Sequence, residues 1–103
     1  MKKDTKPRYV ISVAADIIGV RTYTLRYYEK VGIVKPARSH GNIRLYSDMD
    51  LALLQRVKTL MEDLGVNLAG VEVILRMSRQ IARLQQQAEE MEAKLERLGG
   101  EEE

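Results

Sequence analysis

Residues 21–30 of this chain, Arg-Thr-Tyr-Thr-Leu-Arg-Tyr-Tyr-Glu-Lys, combine positive charge with phenol rings. In a helix, positions i, i+3, i+4 and i+7 share one face, and here those positions are Tyr23, Arg26, Tyr27 and Lys30. Leu25 and Tyr28 lie on the other side, where we expect a core. Guanidinium, ammonium and phenol groups hydrogen-bond to phosphates and to base edges, so this face predicts nucleic-acid binding. An ordinary solvated helix face is the alternative.

The residue types needed for catalysis or metal binding are not grouped anywhere in the sequence. It has no cysteine, and its one histidine, His40, stands beside a glycine with no second ligand in view. The carboxylates fall at predicted helix starts and at the acidic C-terminal end, where a solvation role is sufficient. We therefore expect no enzyme activity, no metal site and no cofactor.

The charge of the chain is divided unevenly. Residues 1–46 hold ten Lys and Arg against three Asp and Glu, a net +7, whereas residues 47–103 hold seven against twelve, a net −5. A basic first half favours a polyanionic partner such as double-stranded DNA. No apolar run is long enough to span a membrane and no signal-peptide pattern opens the chain. We expect a cytoplasmic, nucleoid-associated protein that does not engage membranes.

Two short helices joined by a tight turn would position the basic face. Ser12 is the predicted N-cap of the first helix, and Gly19 should end it because glycine adopts positive φ without steric cost. Thr22 is the predicted cap of the second helix, which should end at Gly32. This order is typical of the helix-turn-helix motif, whose second helix enters the major groove. The expected inner face of the first helix is Val13, Ala14, Ile17 and Ile18.

A β-hairpin is predicted after the second helix. Residues 37–46 read as two short strands around a glycine-containing turn. Ile43 and Leu45 should pack on the helices, while Arg44 and Tyr46 point outward. Such a hairpin is a wing. The side chains expected to clamp a sugar-phosphate backbone are Arg38, Arg44 and Tyr46.

The rest of the chain reads as two further helices. Ser47 precedes acidic residues at a predicted helix start, and Gly65 should end that helix before Asn67 caps the next. A seam of apolar residues then repeats at alternating spacings of three and four over about 25 residues, roughly 37 Å. Its members are Ile74, Met77, Ile81, Leu84, Ala88, Met91, Leu95 and Leu98. A domain this small cannot bury such a seam, so we expect a homodimer joined by a coiled coil.

These elements predict a mainly α fold: a winged helix-turn-helix with a small β-hairpin wing and a long C-terminal coiled-coil dimerisation helix. The expected organisation is a disordered basic arm at 1–8, a DNA-binding domain at 9–70, the dimerisation helix at 71–98 and a disordered acidic tail at 99–103. The residues expected to contact DNA are Ser12, Arg21, Tyr23, Arg26, Tyr27, Tyr28, Lys30, Arg38, Arg44 and Tyr46. For Tyr28 we expect a core position with the hydroxyl reaching the DNA backbone.

The order of motifs resembles the MerR family of bacterial transcription regulators. The resemblance rests on the helix-turn-helix and on three segments, Leu25-Arg-Tyr-Tyr-Glu29, Gly32–Pro36 and Arg44-Leu-Tyr-Ser47. Within the family, residues 9–15 and 65–71 are similar to the heat-shock repressor (HspR) subgroup. The resemblance implies a dimer with an antiparallel coiled coil that binds an inverted repeat and represses heat-shock and chaperone genes, with the DnaK chaperone as a possible co-repressor.

The resemblance also implies roles for particular residues. Family members place the second helix in the major groove, which here means Tyr23, Arg26 and Tyr27. They use a wing arginine and tyrosine on the DNA backbone, here Arg44 and Tyr46. Metal-sensing members carry cysteines and drug-sensing members carry a large C-terminal ligand domain. This sequence shows neither, so we do not expect small-molecule sensing.

Two other functions fit the same features. A signal-responsive activator of this family would keep the DNA binding and differ in where it sits relative to the promoter elements. A coiled-coil adaptor would instead dock its basic face on the carboxylates of an acidic protein. For Arg44, a solvated hairpin arginine is the alternative to a phosphate contact.

Overall fold

The computed structural model describes residues 4–102, with side chains up to Gly100. Its elements in chain order are helix α1 (Ile11–Ile18), helix α2 (Thr22–Lys30), strand β1 (Ala37–Arg38), strand β2 (Arg44–Leu45), helix α3 (Asp48–Lys58), a π-helical segment (Thr59–Asp63) and helix α4 (Leu68–Glu102). The prediction of a mainly α fold with a small hairpin and a long C-terminal helix is confirmed.

The chain divides into two compact units, and the boundary lies between Asn67 and Leu68. The first unit contains α1 to the π-helical segment, and the second is α4. The predicted boundary at residue 70 lies within α4 instead, because the helix begins directly after Asn67.

The N-terminal segment differs from the predicted disordered arm at 1–8. The backbone N–H of Arg8 donates to the carbonyl of Tyr46 at 3.0 Å, and the Arg8 guanidinium pairs with Asp48. Tyr9 forms an antiparallel bridge with Tyr46, and its hydroxyl donates to Asp48 at 2.8 Å. Residues 4–9 are therefore tied to the first unit, and residues 1–3 lie outside the described residues.

The first unit has a core built from α1, α2, the hairpin region and α3. Because the sequence has no Phe and no Trp, Tyr46 is the largest of its fully buried side chains. The buried members of this unit with apolar side chains are Ala14, Ala15, Ile18, Leu25, Tyr28, Ile33, Val34, Pro36, Tyr46, Leu54 and Val57.

Helix α1 begins earlier than predicted, and it buries a different face. Its N-cap is Val10, without a side-chain hydrogen bond, so Ser12 is not the cap but an exposed residue of the first turn. The buried face is Ala14, Ala15 and Ile18, and the expected core residues Val13 and Ile17 are exposed. The two alanines let the α1 backbone approach its neighbours closely, which the bulkier valine and isoleucine face would prevent.

The turn between α1 and α2 is fixed by Gly19 and Lys58. Gly19 has φ +84°, a left-handed conformation that ends α1 as predicted. The ammonium of Lys58, on α3, donates to the carbonyl of Ile18 at 2.9 Å. This bond satisfies one of the carbonyls that the end of α1 leaves unpaired, and it holds the turn against α3.

Helix α3 starts with a reciprocal capping box. The Asp50 N–H donates to Oγ of Ser47 at 3.1 Å, and the Ser47 N–H donates to Oδ2 of Asp50 at 3.0 Å. The prediction that Ser47 begins this helix is confirmed. The helix continues into the π-helical segment, and Gly65 with φ +68° follows it.

Helix α4 continues through Gly99 and Gly100 to Glu102, so the acidic tail predicted as disordered at 99–103 is helical as far as it is described. Glycine ends a helix when it takes a left-handed conformation, and neither of these two has a positive φ. No helix within residues 4–102 is long and apolar enough to cross a membrane.

Candidate nucleic-acid interface

The face of α2 predicted from the spacing points to solvent. Tyr23 and Tyr27 are 64% and 49% exposed, and Arg26 and Lys30 are also exposed. On the other side, Leu25 is 0% exposed and belongs to the core. An apolar anchor at one side of a two-turn helix therefore fixes which side chains the opposite face presents.

The positively charged side chains of this face are not bonded to other parts of the protein. The side chains of Arg21, Arg26 and Lys30 make no hydrogen bond or ion pair with any residue in the described part of the chain. Two exposed phenol rings stand beside them, and Tyr27 packs at a tilt on Tyr28 with ring centroids 6.3 Å apart. The face therefore offers guanidinium, ammonium and phenol donors to a partner without first breaking internal bonds.

Tyr28 is a core residue, as expected, but its hydroxyl does not point to the exposed face. It donates to the sulfur of Met61 in the π-helical segment at 3.5 Å. Burial raises the pKa of this hydroxyl, with the charge of Glu62 adding to the effect. In this geometry Tyr28 orients α2 on the first unit, which corrects the expectation that its hydroxyl contacts DNA.

A shallow depression lies where the N-terminal turns of α1 and α2 meet. Arg21, and not the predicted Thr22, is the N-cap of α2 and is exposed, and Ser12 is exposed on α1. Both are therefore placed beside the tyrosine and arginine face, although Asp16 adds a negative charge there. The residues that line the depression are Ser12, Ala15, Asp16, Val20, Arg21, Thr22 and Tyr23.

The hairpin forms with β1 and β2 antiparallel, and Ala37 pairs with Leu45. Each strand has two residues, and the turn between them includes Asn42 at φ +63°. Arg38 donates through Nη1 to the carbonyl of Asn42 at 3.2 Å, which closes the turn. The predicted wing is therefore present.

Both wing arginines are bound to one carboxylate of α2. Arg44 Nε donates to Oε1 of Glu29 at 2.6 Å, and Arg38 Nη2 donates to Oε2 at 3.0 Å. The hydrogen bond and charge of Arg44, with those of Arg38, lower the pKa of the Glu29 carboxyl below its ordinary value of 4.5. Arg44 is therefore held by Glu29 through its Nε, and the four N–H donors on its Nη atoms remain available to a partner.

Tyr46 is not available as a DNA contact, which corrects the prediction of an outward side chain. It is 0% exposed, and burial raises the pKa of its hydroxyl. Its backbone pairs with Tyr9, and its ring lies in the core. Ile43, expected inside, is instead exposed. The hydroxyl of Tyr46 has no hydrogen-bond partner among the described residues.

The sequence analysis did not predict the structural roles of two residues, Glu29 and Lys58. Glu29 is the only carboxylate of α2, and that isolation within a basic segment was the available signal. Lys58 left no such signal, because it caps a helix that ends 40 residues earlier in the chain. Both residues fix elements around the exposed face of α2.

The seam of α4 is solvent-exposed along most of its length in the single chain. Large apolar side chains about half or more exposed recur at heptad spacing on this helix. These exposed members are Met77, Ile81, Leu84, Met91, Leu95 and Leu98, and Ala88 between them is also exposed. No group of acidic or histidine side chains suited to a metal ion occurs within residues 4–102.

Residues 9–78 match the family described as MerR HTH family regulatory protein. The chain is 45% identical over 96 residues to the "Putative heat shock protein HspR" of Streptomyces coelicolor, covering 93% of this chain and 63% of that protein. It is 37% identical over 79 residues to the HTH-type transcriptional regulator GlnR of Bacillus anthracis, covering 75% and 60%. The chain therefore spans less than two thirds of the length of these relatives.

The fold is similar to two crystal structures. One is HiNmlR, a MerR family regulator lacking the sensor domain, bound to promoter DNA, with TM-score 0.63 and 23% identity over 87% of this chain and 74% of that one. The other is a MerR family transcriptional regulator from Bacillus cereus, with TM-score 0.62 and 29% identity over 88% and 72%. These proteins are regulators and not enzymes, in agreement with the expectation from the sequence.

Proposed function

Because the chain belongs to the MerR family of helix-turn-helix regulatory proteins, we propose that it regulates transcription by binding double-stranded DNA through the exposed face of α2. The observation that carries this proposal is the uncommitted state of Arg26 between two exposed tyrosines, Tyr23 and Tyr27. An exposed cationic and aromatic face on the second helix of a helix-turn-helix is the arrangement that reads base edges in the major groove.

The residues of the face take different parts in this proposal. Arg26 is the candidate for a bidentate contact to a guanine edge, and Tyr23 and Tyr27 flank it with phenol groups. Arg21 and Lys30, at the two ends of α2, would bind phosphates, which set the register of the helix on the duplex. The exposed hydroxyl of Ser12 adds a donor for a phosphate next to Arg21.

The wing supplies a further phosphate contact through Arg44. Its Nε is bound to Glu29, so its Nη donors would meet the DNA backbone. Arg38 uses both of its Nη atoms within the protein, on Asn42 and on Glu29. We therefore assign Arg44 as the phosphate ligand and Arg38 as the residue that holds the turn.

We propose that the active form is a homodimer joined by α4. The exposed seam from Met77 to Leu98 would otherwise leave a large apolar stripe in water. A second copy of the same helix covers that stripe with complementary spacing. Two-fold symmetry then requires an operator that is an inverted repeat, with one α2 in each half-site.

A relative in Streptomyces coelicolor whose name refers to heat shock supports a proposal about the regulated genes. We propose that the protein represses heat-shock and chaperone genes, with the DnaK chaperone as a candidate co-repressor. The level of identity, 45% over 93% of this chain, supports this assignment over the other regulators of the family.

Selection of bound duplexes from a random library tests the proposal. We expect enrichment of an inverted repeat, with a dimer bound per duplex and affinity that falls steeply as salt is raised. Footprints over promoter elements would support repression, and a site between the promoter elements would indicate an activator. A library that yields no enriched sequence, or binding that poly-glutamate competes as well as duplex does, would contradict the proposal.

A further inference from the structure

One carboxylate links the wing to the recognition helix. Glu29 binds Arg44 of β2 through Oε1 and Arg38 of β1 through Oε2, so each of its oxygens holds a different strand of the hairpin. Arg26, one turn earlier on the same helix, takes no part in this ion pairing. The acidic residue of α2 therefore faces the wing, while the uncommitted cation faces solvent.

Glu29 and Arg44 are sheltered enough to keep this geometry, and Arg38 is more exposed. The side chains of Glu29, Arg44 and Arg38 are 22%, 27% and 36% exposed. Fully exposed ion pairs are screened by water and exchange partners readily, but partly buried charge-assisted bonds hold a fixed arrangement. The Arg38 bond to the Asn42 carbonyl carries the constraint onward to the turn of the hairpin.

The hairpin is too short to fix its own orientation relative to the helices. Each strand has two residues, and a two-stranded hairpin of this length is at best marginally stable alone. Its base is fixed by the buried ring of Tyr46 and the backbone bridge to Tyr9. Beyond that base, the bonds from Glu29 are the described side-chain contacts that tie both strands to α2.

We propose, resting on the proposed DNA binding, that Glu29 is a positioning residue that fixes the wing arginines relative to the recognition helix. The phosphate donors of Arg44 are then placed at a set distance from the base-reading face. This role opposes the simple electrostatic expectation, in which a carboxylate beside a DNA backbone only weakens binding.

The substitution Glu29→Gln separates the two expectations by the sign of its effect. It keeps the size of the side chain, removes the negative charge and leaves one acceptor for two guanidinium groups. A positioning role predicts about tenfold weaker binding to the selected duplex, despite the gain in positive charge. If the carboxylate only repels the DNA backbone, its removal should give tighter binding and a steeper dependence of affinity on salt. The matched control is Glu72→Gln, an exposed residue of α4, for which we expect no loss of affinity.

A double-mutant cycle shows whether Glu29 acts through the arginines. If it positions Arg44, then Glu29→Gln costs little further affinity in a chain that already carries Arg44→Ala. Losses that simply add would overturn the proposal, as would unchanged or tighter binding by the single variant.

Amide hydrogen exchange supplies a readout that does not depend on DNA. We expect faster exchange in Glu29→Gln at the Ser39 amide, which donates across the hairpin to the Ile43 carbonyl at 2.9 Å, with the amides of α3 still protected. If the Ser39 amide exchanges at the wild-type rate, the positioning role is overturned even if affinity falls. If the wild-type chain selects no duplex while the exchange result holds, it is the DNA-binding function that fails, not the link between Glu29 and the wing.

Discussion

The Nε of Arg44 and the carboxylate of Glu29 lie 2.6 Å apart and join the wing to the helix that presents the candidate DNA-binding face. The same carboxylate holds Arg38 at 3.0 Å. Two elements that would bind separate parts of a duplex are thus connected by charge-assisted hydrogen bonds. The connection gives Glu29, the last residue of the segment Leu25-Arg-Tyr-Tyr-Glu29, a structural role beside the DNA-binding role that we propose for Arg26.

The first prediction concerns acid and the Glu29 carboxylate. Its pKa is lower in the folded chain than the ordinary value of 4.5, so folding favours the deprotonated form. This contribution to stability is present above pH 4.5 and is lost as the pH falls through the lowered folded-state pKa. The advantage of the wild type over Glu29→Gln in urea unfolding should therefore shrink as the pH falls from 7 to 3.

The control for that prediction removes Arg44, the main cause of the lowered pKa of Glu29. In a chain that already carries Arg44→Gln, the difference in free energy of unfolding between Glu29 and Glu29→Gln should depend much less on pH. A wild-type advantage that is constant from pH 7 to 3 would show that the ion pair does not shift the carboxyl.

The second prediction concerns the hydroxyl of Tyr46, which is buried without a partner among the described residues. A buried polar group without a hydrogen bond costs about 1–3 kcal/mol. Tyr46→Phe should therefore raise the free energy of unfolding by about 1 kcal/mol and leave DNA affinity unchanged. The matched variant Tyr27→Phe removes an exposed hydroxyl and should weaken DNA binding without altering stability. Loss of affinity in Tyr46→Phe would restore the outward contact inferred from the sequence.

The third prediction concerns the turn between α1 and α2. Gly19→Ala forces a side chain into a left-handed conformation, where its Cβ would lie 2.9 Å from the Lys58 ammonium. We expect a loss of at least about 1–2 kcal/mol in chemical unfolding. Gly41→Ala is the control, because its Cβ would meet neighbours at an ordinary 3.9 Å. Equal stability of the two variants would contradict the role assigned to Gly19.

The fourth prediction concerns the orientation of the coiled coil. In an antiparallel pair centred on the seam, Ile81 of one helix lies opposite Met91 of the other. The chain has no cysteine, so the double variant Ile81→Cys/Met91→Cys should cross-link into covalent dimers on mild oxidation. Within one helix these positions are about 15 Å apart, beyond the reach of a disulfide.

The charge pattern favours the same orientation. Arg76, Arg79 and Arg83 lie in the first half of α4, and most of its acidic residues lie in the second half. An antiparallel pair brings opposite charges together, whereas a parallel pair brings like charges together. Efficient cross-linking of the single variant Ile81→Cys would indicate a parallel pair, and a monomer at micromolar concentration would contradict the dimer.

Much of the fold could be predicted because its signals are local. The capping box at Ser47, the left-handed Gly19 and the heptad spacing of α4 depend on residues within a few positions of one another. The exposed face of α2 was equally predictable, since Leu25 marks the buried side of a short helix.

The inner face of α1 and the wing were less predictable because they depend on packing between distant segments. Alternation along residues 43–46 suggests an outward Tyr46, but that ring is buried, and the backbone of Tyr46 is bridged to Tyr9, 37 residues earlier in the chain. The bond of Lys58 to Ile18 likewise spans 40 residues. Local patterns do not specify which element a side chain will meet when the chain closes on itself.

The most direct measurement of the central claim is a fluorescence-anisotropy titration of the selected duplex with wild type and Arg26→Ala. Arg26 is exposed and its side chain makes no hydrogen bond or ion pair in the described chain, so truncating it to alanine should leave thermal unfolding unchanged. We expect roughly 10- to 100-fold weaker binding, the cost of a lost bidentate base contact. Arg97→Ala, the same charge change on α4, should bind like the wild type. Equal affinity of Arg26→Ala and wild type would contradict DNA recognition by this face of α2.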